Sequence, residues 1–157
     1  MQGLVTVRPA LPADAGVIAS LLRELGWFEH LGAMDPDQAR EHVAHQLGLC
    51  LDGQAHLVMV ALDPAGQVQA YGSVHWLPYM FKAGPEGYVS ELFVSQAWRG
   101  RGLGRALLTA MEQEARQRGC SQLMLINNRQ RDSYRRGFYA KQGWQERTAM
   151  ANFCRPL

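Results

Sequence analysis

The chain is poor in lysine, in cysteine and in long apolar runs. Only two of its 16 basic residues are lysine, Lys82 and Lys141; the rest are arginine. The three cysteines, Cys50, Cys120 and Cys154, are odd in number, widely scattered and without CxxC spacing. That excludes a disulfide framework and a zinc ribbon. The apolar stretches, such as Leu57 to Leu62, fall far short of the roughly 20 residues that a membrane helix needs. No basic start followed by an apolar stretch of signal length opens the sequence, so a cytoplasmic protein is expected. There is no GxxxxGK[ST], no internal repeat and no low-complexity segment.

What is there is ordinary in bulk and polarised in detail. At 157 residues, 47% apolar and 19% charged, the chain reads as one globular domain over residues 1–157. The net charge of +2 hides a strong asymmetry. Residues 1–98 carry ten acids against four bases, a net −6. Residues 99–136 carry nine arginines against three acids, a net +6. Such a split bears on partners rather than on fold.

The periodicities predict the order β-α-α-β-β-β-α-β-α-β. Val5 to Arg8 reads as a strand. Pro12 and Asp14 open a helix with Val17, Ile18, Leu21, Leu22 and Leu25 at helical spacing, and Gly26 ends it. Trp27 to Met34 reads as a loop. Asp35-Pro36 starts a second helix with Ala39, Val43, Gln46 and Leu47 on one side. A hairpin follows, His56 to Leu62 and Gln67 to Leu77, about the turn Asp63-Pro64-Ala65-Gly66. After a loop, Tyr88 to Val94 is a strand. Gly102 to Arg118 is an amphipathic helix stopped by Gly119, and Leu123 to Ile126 a short strand. Asp132-Ser133 caps a helix expected to reach Gln142, with Gly143 beyond it. Trp144 to Phe153 reads as a final strand or two. The fold class is α+β (mixed α/β), with a mostly antiparallel front half and a crossover helix behind the fourth strand.

Arg99-Gly100-Arg101-Gly102-Leu103-Gly104-Arg105 lies between a strand and a helix. Its glycines let backbone approach a ligand closely, and a helix N-terminus offers unpaired N–H groups and a positive dipole end. Three arginines add charge at the same place. A dinucleotide fingerprint fits poorly, because four residues separate the turn from Val94 and the next strand ends in Asn127-Asn128 rather than an acid.

The segment matches the [RQ]-x-x-G-x-[GA] motif of the GCN5-related N-acetyltransferases (GNAT family). Tyr88 to Cys120 resembles that family's coenzyme-binding strand, turn and helix. Gly137-FYAKQG-Trp144 resembles its FY-xxx-GF segment, with Trp144 in place of the usual Phe. The element order is similar too, so the resemblance covers nearly the whole chain. It implies the acyl-CoA N-acyltransferase fold, a central mostly antiparallel sheet flanked by helices, and acetyl-CoA as cosubstrate without a metal.

By the resemblance, the pantetheine arm bonds to strand backbone at Leu92, Phe93 and Val94. The pyrophosphate sits on the amides of the turn, Gly100, Arg101, Gly102, Leu103, Gly104 and Arg105, and Arg99 also belongs to the coenzyme-binding set. Tyr139 matches the tyrosine facing the coenzyme sulfur; a phenol suits donation of a proton to a departing thiolate. Glu91 is the candidate base. Some relatives carry a catalytic Glu one residue earlier, where this chain has Ser90. In a regular strand the two face opposite sides, so Glu91 is either the base or a holder of a loop or substrate cation, with a water relay as the alternative. The family's Asn seven residues before the tyrosine is here Asp132; Asn127 or Asn128 is the candidate substitute.

The implied acceptor walls are Trp27 to Met34 and Trp76 to Glu86, with Trp27, Phe28, Glu29, His30, Trp76, Tyr79, Phe81 and Glu86. Aromatics with acids suit a cationic amine. Glu91 to Val94 and the tail from Arg136 look somewhat like small-amine and aminoalkylphosphonate acetyltransferases. The expected partner is therefore a small-molecule amine, not nucleic acid or membrane, and dimers are common in the family. His42 and His45 share a helix side without a third ligand, which suits a polar surface better than a metal. Competing readings are a non-catalytic acetyl-CoA sensor, a protein N-terminal or lysine acetyltransferase, and an arginine-rich nucleic-acid-binding module.

Overall fold

A computed structural model describes residues 5–157. It divides into two compact units after Leu125. The first unit is built on a five-stranded sheet in the order β1-β2-β3-β4-β5. The strands are β1 (Thr6–Pro9), β2 (His56–Leu62), β3 (Val68–Leu77), β4 (Glu86–Val94) and β5 (Gln122–Leu125). The first four run antiparallel, and β5 joins β4 in parallel. This is the α+β arrangement expected. Pro9 is tolerated because β1 is an edge strand.

One side of the sheet is covered by α1 (Ala15–Leu25) and α3 (Pro36–Leu51). Ile18, Ala19, Leu21 and Leu22 of α1 and Ala39, Val43 and Leu47 of α3 are buried with Val58, Val60 and Tyr71. Gln46, read as part of the inward side, is exposed. Local chemistry sets the helix ends. Gly26 takes a left-handed conformation (φ 68°) beyond α1. At α3, Asp35 Oδ1 accepts from the Gln38 amide (2.8 Å) and Gln38 Oε1 from the Asp35 amide (3.1 Å), a capping box completed by Pro36. The segment expected to be a loop, Trp27 to Met34, contains a single helical turn, α2 (Glu29–Gly32), which carries Leu31 into the core. One apolar residue is too little periodicity to announce such a turn.

The other side is covered by α4 (Leu103–Gln117), whose Leu103, Leu107, Leu108, Met111 and Ala115 are buried. Leu103 and Leu107 pack with Ala61 and Ala70, small residues that bring helix and sheet close. Gly72 serves the same end, since a Cβ there would collide with Met111.

In the second unit, α5 (Asp132–Arg135) is one turn long, and a 3-10 turn spans Ala140–Gln142. The single helix expected to reach Gln142 is thus two pieces. Gly137 between them sits at φ 63°, a left-handed conformation that ends a helix. Asp132 is the first residue of α5 rather than its cap, which is Arg131. Trp144 to Phe153 forms no strand among the described residues. A strand needs an edge to pair with, and no pairing among the described residues involves this segment.

Candidate active site

The site begins with an irregularity in β4. Its register with β3 pairs Ser73 with Glu91 but Val74 with Val89, so Ser90 is an extra residue, a β-bulge. Tyr71, Ser73 and His75 alternate along β3 and share one side of the sheet. Ser90 Oγ lies 2.7 Å from His75 Nε2, and Glu91 Oε1 accepts a hydrogen bond from Tyr71 Oη at 3.2 Å. Ser90 and Glu91 therefore both face the α1/α3 side. A regular strand would have separated them.

Beyond the bulge, β4 also loses its parallel neighbour. The β4–β5 ladder runs only from Glu86–Gln122 to Val89–Leu125. Leu92, Phe93 and Val94 stay paired with Gly72, Tyr71 and Ala70 of β3. Their backbone groups directed away from β3 meet no strand among the described residues. The side chains divide by parity: Leu92 and Val94 pack with the α4 cluster, and Phe93 lies on the α1/α3 side.

The strand leads into the glycine-arginine turn. Gly100 (φ 74°) and Gly102 (φ 88°) both adopt left-handed backbone, which carries the chain sharply into α4. Gly102 is the N-cap and provides no side-chain cap, leaving the first-turn N–H groups of α4 to other acceptors. Gly104 lies buried inside that first turn. The arginines diverge. Arg99 stacks over Trp27 (5.5 Å), and Arg101 over Trp98 (4.7 Å). Arg101 and Arg105 line an open groove of about 580 Å³ with Val7, Thr109 and Gln113.

Tyr71, which bonds to Glu91, belongs to an aromatic cluster centred on Phe93. Phe93 meets Phe28 edge-on at 5.4 Å, Trp27 at 6.1 Å and Tyr71 at 5.8 Å. Burial raises the Glu91 pKa above the ordinary carboxylate value, partly opposed by the Tyr71 hydrogen bond. Tyr71 is itself held protonated by burial and by the Glu91 charge. Cys50, at the end of α3, has its thiol pushed up by burial and then by Glu91. His75 is driven the other way, towards the neutral form, by burial and by His56, whose ring lies 4.6 Å away.

The residues grouped from sequence as acceptor walls separate. Trp27 and Phe28 join the Glu91 side. Trp76 is buried beneath Arg118 (4.9 Å) and is packing. Tyr79 and Phe81 flank Lys82, and buried Glu86 is tied to Lys82 and Gln122. Glu29 is exposed, and the His30 ring meets His42 edge-on at 5.2 Å. Among the described residues no three His, Cys, Asp or Glu side chains gather as metal ligands.

In the second unit, Tyr139 is half-buried between Phe138 (4.9 Å) and Trp144 (6.0 Å), and burial raises its pKa to about 12. Asn127 Oδ1 accepts from Ser133 Oγ, and Asn128 Oδ1 from the Gln130 amide, so both serve local turns. Asp132 is exposed. The sequence reading missed Tyr71, His75 and Ser90 as a polar set. The available signal was the alternation Tyr71, Ser73, His75 in a largely apolar strand.

The family model for the acetyltransferase (GNAT) family matches residues 20–144. Glucosamine 6-phosphate N-acetyltransferase 1 of Oryza sativa subsp. japonica is 36% identical over 125 residues, 78% of this chain and 73% of its own. Aminoalkylphosphonate N-acetyltransferase of Salmonella typhimurium is 34% identical over 141 residues, 89% of this chain and 84% of its own. The crystal structure of a transcriptional regulator from Bacillus halodurans C-125 superposes with a TM-score of 0.84. It covers 98% of this chain and 100% of that one, and at 18% identity the likeness is one of fold. Among the described residues no helix is long and apolar enough to cross a membrane.

Proposed function

The chain belongs to the acetyltransferase (GNAT) family and is an N-acetyltransferase, and on that premise we propose that it acetylates the primary amine of a small cationic molecule from acetyl-CoA. The whole chain acts as one acetyltransferase domain in this reading. The observation that carries it is the course of β4, which leaves β5 after Val89 and runs on to the uncapped N-terminus of α4. An open strand edge beside a set of helix N–H groups fits an extended amide-bearing arm ending in a pyrophosphate. Leu92, Phe93 and Val94 would hold the arm through backbone. The amides from Gly100 to Arg105 would hold the pyrophosphate, with Arg99, Arg101 and Arg105 supplying positive charge. Acetyl-CoA, when bound, supplies an acyl group activated as a thioester.

An alkylamine is an ammonium ion at neutral pH and attacks only after losing a proton. Glu91 is the group for that step. Its raised pKa makes it a stronger base than an exposed carboxylate, and the Phe28 and Phe93 rings lie on the same side of the sheet, where a cation can meet them. Tyr139, protonated throughout the neutral range, would give its proton to the departing sulfur and recover one from solvent. The rice and Salmonella relatives, named for a sugar phosphate amine and for aminoalkylphosphonates, support a small acceptor.

Thiol release from acetyl-CoA tests the reading, measured across alkylamines, polyamines, amino acids, aminoglycosides and peptide N-termini. Release with small amines is the expected result. Tight coenzyme binding with no release from any acceptor would establish a sensor instead, and release with peptides alone a protein acetyltransferase.

A second measurement addresses Glu91. Because its pKa is raised, Glu91 is unprotonated, and so active as a base, only above that raised value. The rate should fall at a pH above the ordinary carboxylate range of about 4.3. Glu91→Gln should lower kcat/KM for the amine about tenfold at neutral pH and remove that ionisation from the profile. An unchanged profile would assign Glu91 a structural role.

A further inference from the structure

We propose that Ser90 and His75 form a second proton outlet for the acceptor nitrogen, Ser90 touching the amine and His75 acting through it as a positioning residue. The inference rests on the acetyltransferase reading above and adds residues to its mechanism. An ammonium nitrogen gives up two protons on becoming an amide nitrogen, and Glu91 holds one at a time. The bulge brings a second proton-accepting group to the same side of the sheet, one residue away.

Ser90 is exposed and Glu91 beside it half-buried, so the serine is the member more open to an incoming substrate. Its Oγ is within 2.7 Å of His75 Nε2. The transfer balances without a redox partner. The amine N–H bond breaks as a new Ser90 O–H forms, and the former Ser90 O–H breaks as an N–H forms on His75 Nε2. The resulting imidazolium, half-exposed, passes its proton to solvent.

The surroundings suit a neutral acceptor. His56 on β2 meets the His75 ring at 4.6 Å, and Tyr88 on β4 lies 6.2 Å from it. Further along the same side are Ser73 and Tyr71 on β3, Glu91 on β4 and Cys50 at the end of α3. Ser73, paired with Glu91 in the register, is buried and its Oγ has no protein partner; the buried Nδ1 of His56 also has none. A polar strip thus runs from Glu91 to His56 through a sheet side otherwise packed with apolar residues. Burial and the neighbouring His56 both favour uncharged His75, the form that accepts a proton.

The test is the pH dependence of kcat/KM for the amine that releases thiol fastest, in wild type, Glu91→Gln, His75→Gln, Ser90→Ala and Ser90→Thr. Two groups that must both be unprotonated give an acid limb of slope two on a log plot. Each of Glu91→Gln, His75→Gln and Ser90→Ala should reduce the slope to one. The last two should cost about tenfold at neutral pH, with the KM for acetyl-CoA unchanged. Ser90→Thr, which keeps the hydroxyl, should restore most of what Ser90→Ala loses. Retention of slope and rate in both His75→Gln and Ser90→Ala would overturn the outlet while leaving the acetyltransferase reading intact. Absence of thiol release in the wild type would overturn that reading, and the outlet with it.

Discussion

Replacing Tyr139 with Phe is expected to lower kcat by about 100-fold, the scale of a lost general acid, with little change in the KM for acetyl-CoA. The substitution removes one oxygen and keeps the ring, so the contacts with Phe138 and Trp144 persist. What goes is the proton. Expulsion of a thiolate places negative charge on sulfur, and a phenol held protonated can donate to it at any working pH. The raised pKa fixes the sign of the pH effect. With a value of about 12, Tyr139 keeps its proton through neutral and moderately alkaline solution. Wild type should therefore show no loss of kcat from this group up to about pH 10, where an exposed tyrosine would already be half ionised. Steady-state rates with acetyl-CoA varied at saturating amine separate the two parameters. A Tyr139→Phe enzyme that keeps its kcat would remove Tyr139 from the chemistry.

The second large effect is expected at Gly102. Its φ of 88° is the left-handed conformation at the cap of α4. There a residue with a Cβ costs about 1–2 kcal/mol, and a β-branched one is a severe outlier. Space is not the difficulty, since a Cβ at Gly102 meets nothing within 4 Å. The strain falls on the path of the backbone. Gly102→Val relieves it by turning the first amides of α4 away from their present direction, while Leu103, Leu107 and Met111 keep the helix seated. The KM for acetyl-CoA should rise about tenfold to 100-fold, the loss of one or two charge-assisted hydrogen bonds. The KM for the amine should change by less than about threefold. Initial rates with each substrate varied in turn provide the check. Equal increases in both constants would show that the turn does not serve the coenzyme alone.

Much of the architecture is legible in the residues because helix ends and tight turns are local chemistry. Gly26 past α1, the Asp35-Pro36 cap and the glycines before α4 each announce themselves within four or five residues. The phosphate-binding candidate can be read for the same reason, since it consists of glycines, arginines and a helix start in succession. The misreadings are also local in origin. Gly137 does not stand out as a helix breaker because the apolar spacing continues through it. Trp144 to Phe153 pairs with no strand among the described residues, and a strand exists only with a neighbour.

The arginines show where local reading stops. They are adjacent in the chain, but Arg99 goes to Trp27 and Arg101 to Trp98, so one charged run serves two surfaces. Trp27 and Trp76 look alike in sequence, and one faces the Glu91 side while the other is buried under Arg118. Residue order alone settles the class of fold and the glycine-arginine turn, and it singles out Tyr139 and Glu91 as candidates. Only the packed sheet settles which side Glu91 faces and that Ser90, His75 and Tyr71 face it too. The reason is physical: the side taken by a strand residue depends on its register with the next strand. One inserted residue at Ser90 changes that register without leaving a mark in the local pattern.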